Sequence, residues 1–300
     1  VRDLITGSRG FIGTYLYDYL KRMGHEVTGD CHHQPDFDVR DPETVERLVA
    51  EVEPDAIFHL AAQSFPARSF SEPRLTLETN LLGTLNVLEA ARKRSPGPRV
   101  VFASSSAAYG GGIDPMLETH PLNPLSPYAV SKMAGEHLCR MYHVGNGVEA
   151  VIARIFNTIG PGKEGDAVSD FTRRLLEGER PLRVGRLDTV RDFSDVRDVV
   201  RGLVLLAEKG EAGEAYNICS GKGVSLHLVV VELLALTGRD WNVVTDESLL
   251  RPADEDVIVG DNSRIKRLGW EPWITLERTL ADVVDYWKEG RSLEGCGWYW

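Results

Sequence analysis

Cysteine is scarce in this chain: Cys31, Cys139, Cys219 and Cys296 are the four in 300 residues, and none stands in a CxxC or Cys/His ligand spacing. A disulfide framework and a metal site are therefore not expected, and free thiols suit a reducing cytosol. Long apolar runs are missing too, since no stretch reaches the length that a membrane span needs. Nor is there a block of one charge. The net charge of -11 comes from 45 acidic against 34 basic residues spread along the sequence, which excludes a general affinity for nucleic acid or an anionic membrane. An anionic ligand needs a local basic pocket. The sequence opens on a strand-like VRDLIT and carries no repeat or low-complexity segment, so it reads as cytoplasmic. The tail, residues 291–300, lacks helical or strand periodicity and holds Trp298, Tyr299 and Trp300.

What is present is alternation. The apolar runs LIT, EVTG, AIFHLAA, RVVFASS and EAVIARIF are separated by the helix-period segments FIGTYLYDYLKRM, PETVERLVAEV, LTLETNLLGTLNVLEAARKR and PYAVSKMAGEHLCRMYH. Repeated β-α alternation predicts an α/β fold with a doubly wound parallel sheet, whose ligands sit at the carboxyl ends of the strands. Near residue 160 the texture changes to GPGKEGDA, and a smaller lobe begins there. That lobe is discontinuous, because VRDVVRGLVLLAEKG and EAYNICS look like a helix and strand returning to the first sheet. The larger domain is thus expected over 1–160 plus about 191–219, and the smaller, substrate-binding lobe over about 161–190 plus 220–290.

Thr6-Gly7-Ser8-Arg9-Gly10-Phe11-Ile12-Gly13 joins the first strand to the first helix. Glycine allows a tight turn and close approach of a pyrophosphate, and the free N–H groups of the helix start stabilise its charge. Gly7, Gly10, Phe11, Ile12 and Gly13 are the expected contacts with a nicotinamide dinucleotide. Asp30, at the end of the second strand, is placed to accept from the adenosine ribose and to repel a 2′-phosphate, which favours NAD. His32 and His33 follow at once and tolerate a phosphate, so NAD and NADP both stay open.

Tyr128 and Lys132 stand four residues apart in SPYAVSKMAGE, on one face of a helix that starts near Pro127. A phenol is a weak acid-base catalyst at its ordinary pKa, and a nearby ammonium favours its ionised form. Upstream, VVFASSSAAYG is a buried strand ending in Ser104, Ser105 and Ser106 at the carboxyl edge of the sheet, where a hydroxyl can bind a substrate ketone.

The order TGSRGFIG, HLAAQ, Asn80, SSSAAYG, PYAVSK and RIFNTIGPG resembles the extended short-chain dehydrogenase/reductase family of nucleotide-sugar epimerases, dehydratases and reductases. That resemblance runs from Val1 to about Lys288 and implies a Rossmann-type fold with NADP or NAD as cofactor and a nucleotide-sugar as substrate. It makes Ser105, Tyr128 and Lys132 the catalytic triad, with Tyr128 and Lys132 also at the cofactor. Asp38 and Val39 would lie against adenine, Leu60, Ala61 and Ala62 would line the dinucleotide, and Asn80 would support the backbone of the site. Phe156 would pack near the nicotinamide. Asn157 and Ser106 would face the substrate. The helices at 75–95 and 127–146 resemble the pair that relatives join across a dimer axis, so a homodimer is expected.

Ala107 bears on the reaction. The 4,6-dehydratases carry a glutamate at that position, often after an aspartate, because removing the C5 proton needs a base and expelling water from C6 needs an acid, and the GDP-fucose synthases carry a cysteine there together with a histidine in the GP segment. Ser106, Ala107 and GPGKEG hold none of these groups, which leaves chemistry needing one hydride and one proton at C4. Further on, VGRLDTVRDFSDVRDVV and LLRPADEDVIVGDNSRIKRLGWEP resemble the GDP-sugar branch, the GDP-6-deoxy-D-mannose reductases above all. Asp195 and Arg197 depart from the RDFxYVDD of UDP-sugar epimerases. The same resemblance makes Arg191 and Arg251 clamps on the diphosphate, with Arg183 and Asp254 as further substrate contacts. It implies reduction of GDP-4-dehydro-6-deoxy-D-mannose to GDP-D-rhamnose. A UDP-hexose 4-epimerase, a GDP-mannose 4,6-dehydratase and a non-catalytic dinucleotide sensor are the alternatives.

Overall fold

The apolar runs become strands. In the computed structural model, which describes residues 1–30, 37–112, 115–249 and 256–290, the strands are β1 (Arg2–Thr6), β2 (Glu26–Gly29), β3 (Ala56–His59), β4 (Arg99–Ser105) and β5 (Ala150–Ile155). With Ala215–Ile218 they form one sheet in the order β2, β1, β3, β4, β5, Ala215–Ile218. Every pairing in it is parallel. Such strands must bury both faces, and β5, AVIARI, is buried along its whole length.

Alternate residues serve the two faces. Ile5, Phe58 and Val101 pack with the helices Phe11–Arg22 and Val196–Lys209, while Leu4, Ile57 and Val100 pack with Pro42–Val52, Gly83–Arg92 and Pro127–Asn146. Local signals fix where these helices begin. Ser126 accepts from Ala129 N at 3.1 Å ahead of Pro127, and Gly147 closes the same helix in a left-handed conformation, the expected start and stop pair. β1 lies between β2 and β3, so the chain leaves it to one side and returns on the other. A crevice results at the carboxyl ends of β1 and β3.

A separate apolar cluster joins the helices Ala167–Leu176, Leu226–Thr237 and Leu276–Lys288. Beside it Val190–Asp195 pairs with Asn157–Ile159, Gly223–Ser225 and Val257–Ile258. Val190–Asp195 therefore sits in the smaller sheet, and the return to the larger one starts at Val196 rather than near 191. Asp195 explains why the turn occurs here. It caps the next helix through Arg197 N at 2.8 Å and pairs with the Arg197 guanidinium at 2.7 Å, which also reaches Asp282 at 2.7 Å. These two departures from the epimerase pattern thus form a buried clamp between Val196–Lys209 and Leu276–Lys288.

The contact between Pro127–Asn146 and β4 has no spare volume. A Cβ on Gly135 would lie 2.5 Å from Cζ of Phe102. Gly135→Ala is expected to destabilise the fold by roughly 1–3 kcal/mol through overpacking, read as a lower urea midpoint.

Candidate active site

At the end of β1 the glycine-rich turn is held by its own backbone: Gly10 N donates to Gly7 O at 3.0 Å. Gly7 adopts a φ of 78°, and a Cβ there would sit 2.7 Å from Ala61 N. At Gly13 the clash would be with Gly7 O at 2.2 Å. A side chain at Gly7 would strike the chain leaving β3 and one at Gly13 the turn itself, and the helix that starts at Phe11 has no side-chain cap, so its first N–H groups are the ones suited to a phosphate. A dinucleotide therefore fits this turn. Phe11 and Ile12 begin the helix, and Leu60, Ala61 and Ala62 follow β3 across the crevice, all partly exposed.

Asp30, at the end of β2 where a ribose acceptor is expected, has partners in the turn. Its carboxylate accepts from Gly7 N and Ser8 Oγ, both at 2.6 Å, and from Ser8 N at 3.2 Å. The N–H groups at the head of a turn have no helical partner, and the nearest carboxylate takes them. Asp30, 2% exposed, thus shapes the turn. Asp38 chelates Arg40 at the surface, and Val39 is buried, its carbonyl accepting from Asn86 Nδ2 at 2.9 Å. A shallow depression of about 360 Å³ opens beside them, lined by Asp38, Arg40, Asp41, Glu78 and Leu82.

The Tyr128, Lys132 and Ser105 side chains converge where β4 meets the start of Pro127–Asn146. Lys132 Nζ donates to Ala103 O at 2.8 Å and stands 5.9 Å from the Tyr128 ring centre. Burial pushes the amine down to about 8, because a charge removed from water is disfavoured. Burial also raises the Tyr128 phenol, opposed by its hydrogen bond with Ser105. At neutral pH the tyrosine therefore carries its proton, with a hydroxyl and an amine set to stabilise the oxygen it leaves behind.

Asn80 braces this group. It lies in a π-helical stretch, Glu78–Leu82, a widening common at functional sites. Its Oδ1 accepts from Gln63 N at 2.8 Å, and its Nδ2 donates to Gln63 O at 3.1 Å and to Ser131 Oγ at 2.9 Å. Ser131 Oγ in turn donates to Tyr128 O at 2.6 Å. His59, between Thr6 and Thr84, is pushed down to about 3 by burial and then by the charge of Lys132, so it stays neutral.

Other expected residues fall elsewhere. Ser106 is 5% exposed and Phe156 3%. Phe156 is enclosed with Tyr109, Met116, Cys219 and Ile258, so it has little surface to offer a nicotinamide. Asn157 pairs in register with Phe193, two residues beyond Arg191 on the adjacent strand, which puts Asn157 and Arg191 on one face. Arg183 lies on a different strand pair, Leu182–Val184 with Val243–Thr245, exposed and 3.6 Å from Asp246. His32, His33, Arg251, Asp254 and residues 291–300 lie outside the described residues.

A buried network escaped sequence reading. Ser104 Oγ donates to Glu136 Oε1 at 2.6 Å, and Arg154 grips both oxygens of Glu136 at 2.9 and 2.7 Å. Arg154 also donates to Tyr109 OH at 2.7 Å, which donates to Asn217 Oδ1 at 2.8 Å. A signal existed, since Glu136 follows Lys132 by one helical turn. Asn80→Leu, which strips partners from Gln63 and Ser131, is expected to cost about 1–3 kcal/mol, measured by urea unfolding.

Comparisons with known proteins give the family. Residues 4–219 match the NAD dependent epimerase/dehydratase family. The chain is 34% identical over 298 residues to the GDP-6-deoxy-D-mannose reductase of Pseudomonas aeruginosa, covering 96% of this chain and 97% of that one. Among solved structures it superposes on RMD from Pseudomonas aeruginosa complexed with NADPH, with a TM-score of 0.87, 34% identity and coverage of 97% and 99%. It also superposes on the Thermus thermophilus UDP-glucose 4-epimerase in complex with NAD, with a TM-score of 0.88, 31% identity and coverage of 97% and 100%.

Proposed function

The chain belongs to the NAD dependent epimerase/dehydratase family, and from that premise we propose that it reduces the 4-keto group of GDP-4-dehydro-6-deoxy-D-mannose to give GDP-D-rhamnose, using NADPH or NADH. The observation that carries the chemistry is the meeting of Ser105, Tyr128 and Lys132 at the carboxyl edge of a parallel sheet, next to a turn in which a side chain would clash. The choice of substrate rests on the likeness to the Pseudomonas reductase over nearly the whole of both chains.

Bound in the crevice, a nicotinamide dinucleotide would supply the hydride. Gly7, Gly10, Phe11, Ile12, Gly13, Leu60, Ala61 and Ala62 would hold it, and Asp30 keeps the turn in shape. Ser105 donates to the sugar's carbonyl oxygen and polarises C4. As C4 is reduced, Tyr128 delivers its phenolic proton to that oxygen, so a carbonyl becomes an alcohol and the phenolate left behind recovers a proton from water. Lys132 steadies the phenolate. Asn157 and Arg191 take the substrate's diphosphate side, and Arg251 and Asp254 join them in this reading. Ala107, without an acid or base, suits a reaction that leaves C5 and C6 alone.

Among the described residues no helix is long and apolar enough to cross a membrane, and Cys139 and Cys219 are free and buried, which supports a cytoplasmic enzyme. Exposed Leu77, Leu82, Val130, Met141 and Val144 support a homodimer through the helices at 75–95 and 127–146.

The test is direct. Protein mixed with GDP-4-dehydro-6-deoxy-D-mannose and NADPH or NADH is expected to consume the reduced nicotinamide stoichiometrically and to yield GDP-D-rhamnose. Interconversion of UDP-glucose and UDP-galactose without added reductant would show an epimerase instead. Tyr128→Phe is expected to lower kcat by about 10²–10⁴-fold, the usual worth of a positioned acid, while binding NADPH as before.

A further inference from the structure

Asn217 is fully buried in the strand Ala215–Ile218 at the edge of the larger sheet and has no place in the mechanism above. Its amide is used to capacity. Oδ1 accepts from Tyr109 OH at 2.8 Å, and Nδ2 donates to Met116 O at 2.7 Å and to Asp261 O at 3.1 Å. Its backbone N donates to Glu118 Oε1 at 2.9 Å. One residue thus gathers pieces of chain that lie 44 to 108 positions away in sequence.

Those pieces belong to the substrate side of the cleft. Tyr109 closes the short turn that begins after Ser105. Beyond it, Gly112 N donates to Val257 O at 3.2 Å, Met116 N to Val259 O at 2.8 Å and Asp261 N to Met116 O at 3.0 Å, so the chain around Met116 is stitched to 257–261. Val257–Ile258 pairs in turn with Val190–Asp195, and Ile258 is in register with Arg191, assigned above to the substrate's diphosphate. In sequence it follows directly on the stretch that carries Arg251 and Asp254. A Cβ on Gly260 would lie 2.6 Å from Cys219 Sγ, so this segment is pressed against the end of the strand that holds Asn217. The dinucleotide turn lies elsewhere: Ala215–Ile218 is four strands from β1, about 19 Å at the usual strand spacing.

We propose that Asn217 is a positioning residue for the sugar nucleotide: by donating to Met116 O and Asp261 O it fixes the two chains that wall the substrate side, and so sets affinity for the sugar nucleotide and not for the dinucleotide. The inference rests on the function proposed above, in which Arg191 faces the substrate. An asparagine suits the place because a single amide donates to two carbonyls while its oxygen still accepts. A buried carbonyl that loses its donor is costly, so without the amide the two chains shift toward other partners.

Calorimetric titration of GDP and, separately, of NADPH onto wild type, Asn217→Ala and the isosteric Asn217→Asp tests it, together with steady-state kinetics on GDP-4-dehydro-6-deoxy-D-mannose. Both variants are expected to weaken GDP and to raise the KM of the sugar nucleotide by about tenfold, the scale of one hydrogen bond, with kcat and the affinity for NADPH within about twofold of wild type. A general loosening of the fold does not split the two nucleotides in this way. Wild-type GDP affinity in a folded Asn217→Ala protein, or an equal loss of GDP and NADPH, overturns the role of Asn217 alone. Should both variants fail to fold, hydrogen exchange of wild type decides: saturating GDP, but not NADPH, is expected to slow the amides of Met116 and Asp261, and exchange that GDP leaves unchanged overturns the proposal. If wild type binds neither nucleotide, the proposed function falls as well.

Discussion

Lys132 Nζ donates to the carbonyl of Ala103 at 2.8 Å, two residues before Ser105 on β4. This bond ties the helix that carries Tyr128 to the strand that carries Ser105, so one buried amine sets the distance between the acid and the hydroxyl. Burial of an ammonium is costly, and a single carbonyl compensates it in part. Its depressed pKa follows from that shortfall. With its pKa at about 8 the amine is still mostly protonated at neutral pH, so a positive charge stands beside the phenolate that proton delivery from Tyr128 leaves.

Other parts of the fold keep that bond in register. Glu136, one turn after Lys132, receives Ser104 from the strand and Arg154 from β5. A buried ion pair of this kind adds little net stability over apolar packing, but it allows a single arrangement of strand and helix. On the other side Asn80, Ser131 and Gln63 join the start of the same helix to the chain that leaves β3. The crevice between β1 and β3, the turn shaped by Asp30 and the catalytic helix therefore form one connected frame. The smaller sheet reaches this frame through Asn157, directly after β5.

Much of this was legible in the order of residues. Alternating apolar runs announced the parallel sheet, and the turn from Gly7 to Gly13 and the spacing of Tyr128 and Lys132 announced the cleft, because each is local and obeys a short-range rule. What sequence reading missed depends on long-range packing. Asp30 stands at the position expected of a ribose acceptor, and its bonds to the N–H groups of Gly7 and Ser8, far away in sequence, had no local signal. Phe156 follows a strand that points at the cleft, but its ring turns into a cluster with Tyr109 and Cys219. Arg183 shares its charge with Arg191 but not its sheet. The pairing of Glu136 with Arg154 spans 18 residues and carries no motif beyond one helical turn from Lys132.

The state of Lys132 is the quantity on which the account turns. NMR of the protein carrying ¹³C at lysine Cε, titrated without nucleotide, reads it directly. One resonance, absent from Lys132→Met, is predicted to lose its ammonium as the pH rises through about 8. A Lys132 signal that stays protonated up to the ordinary lysine range near 10.4 would contradict a buried amine held on the Ala103 carbonyl, and with it the coupling of Tyr128 to Ser105.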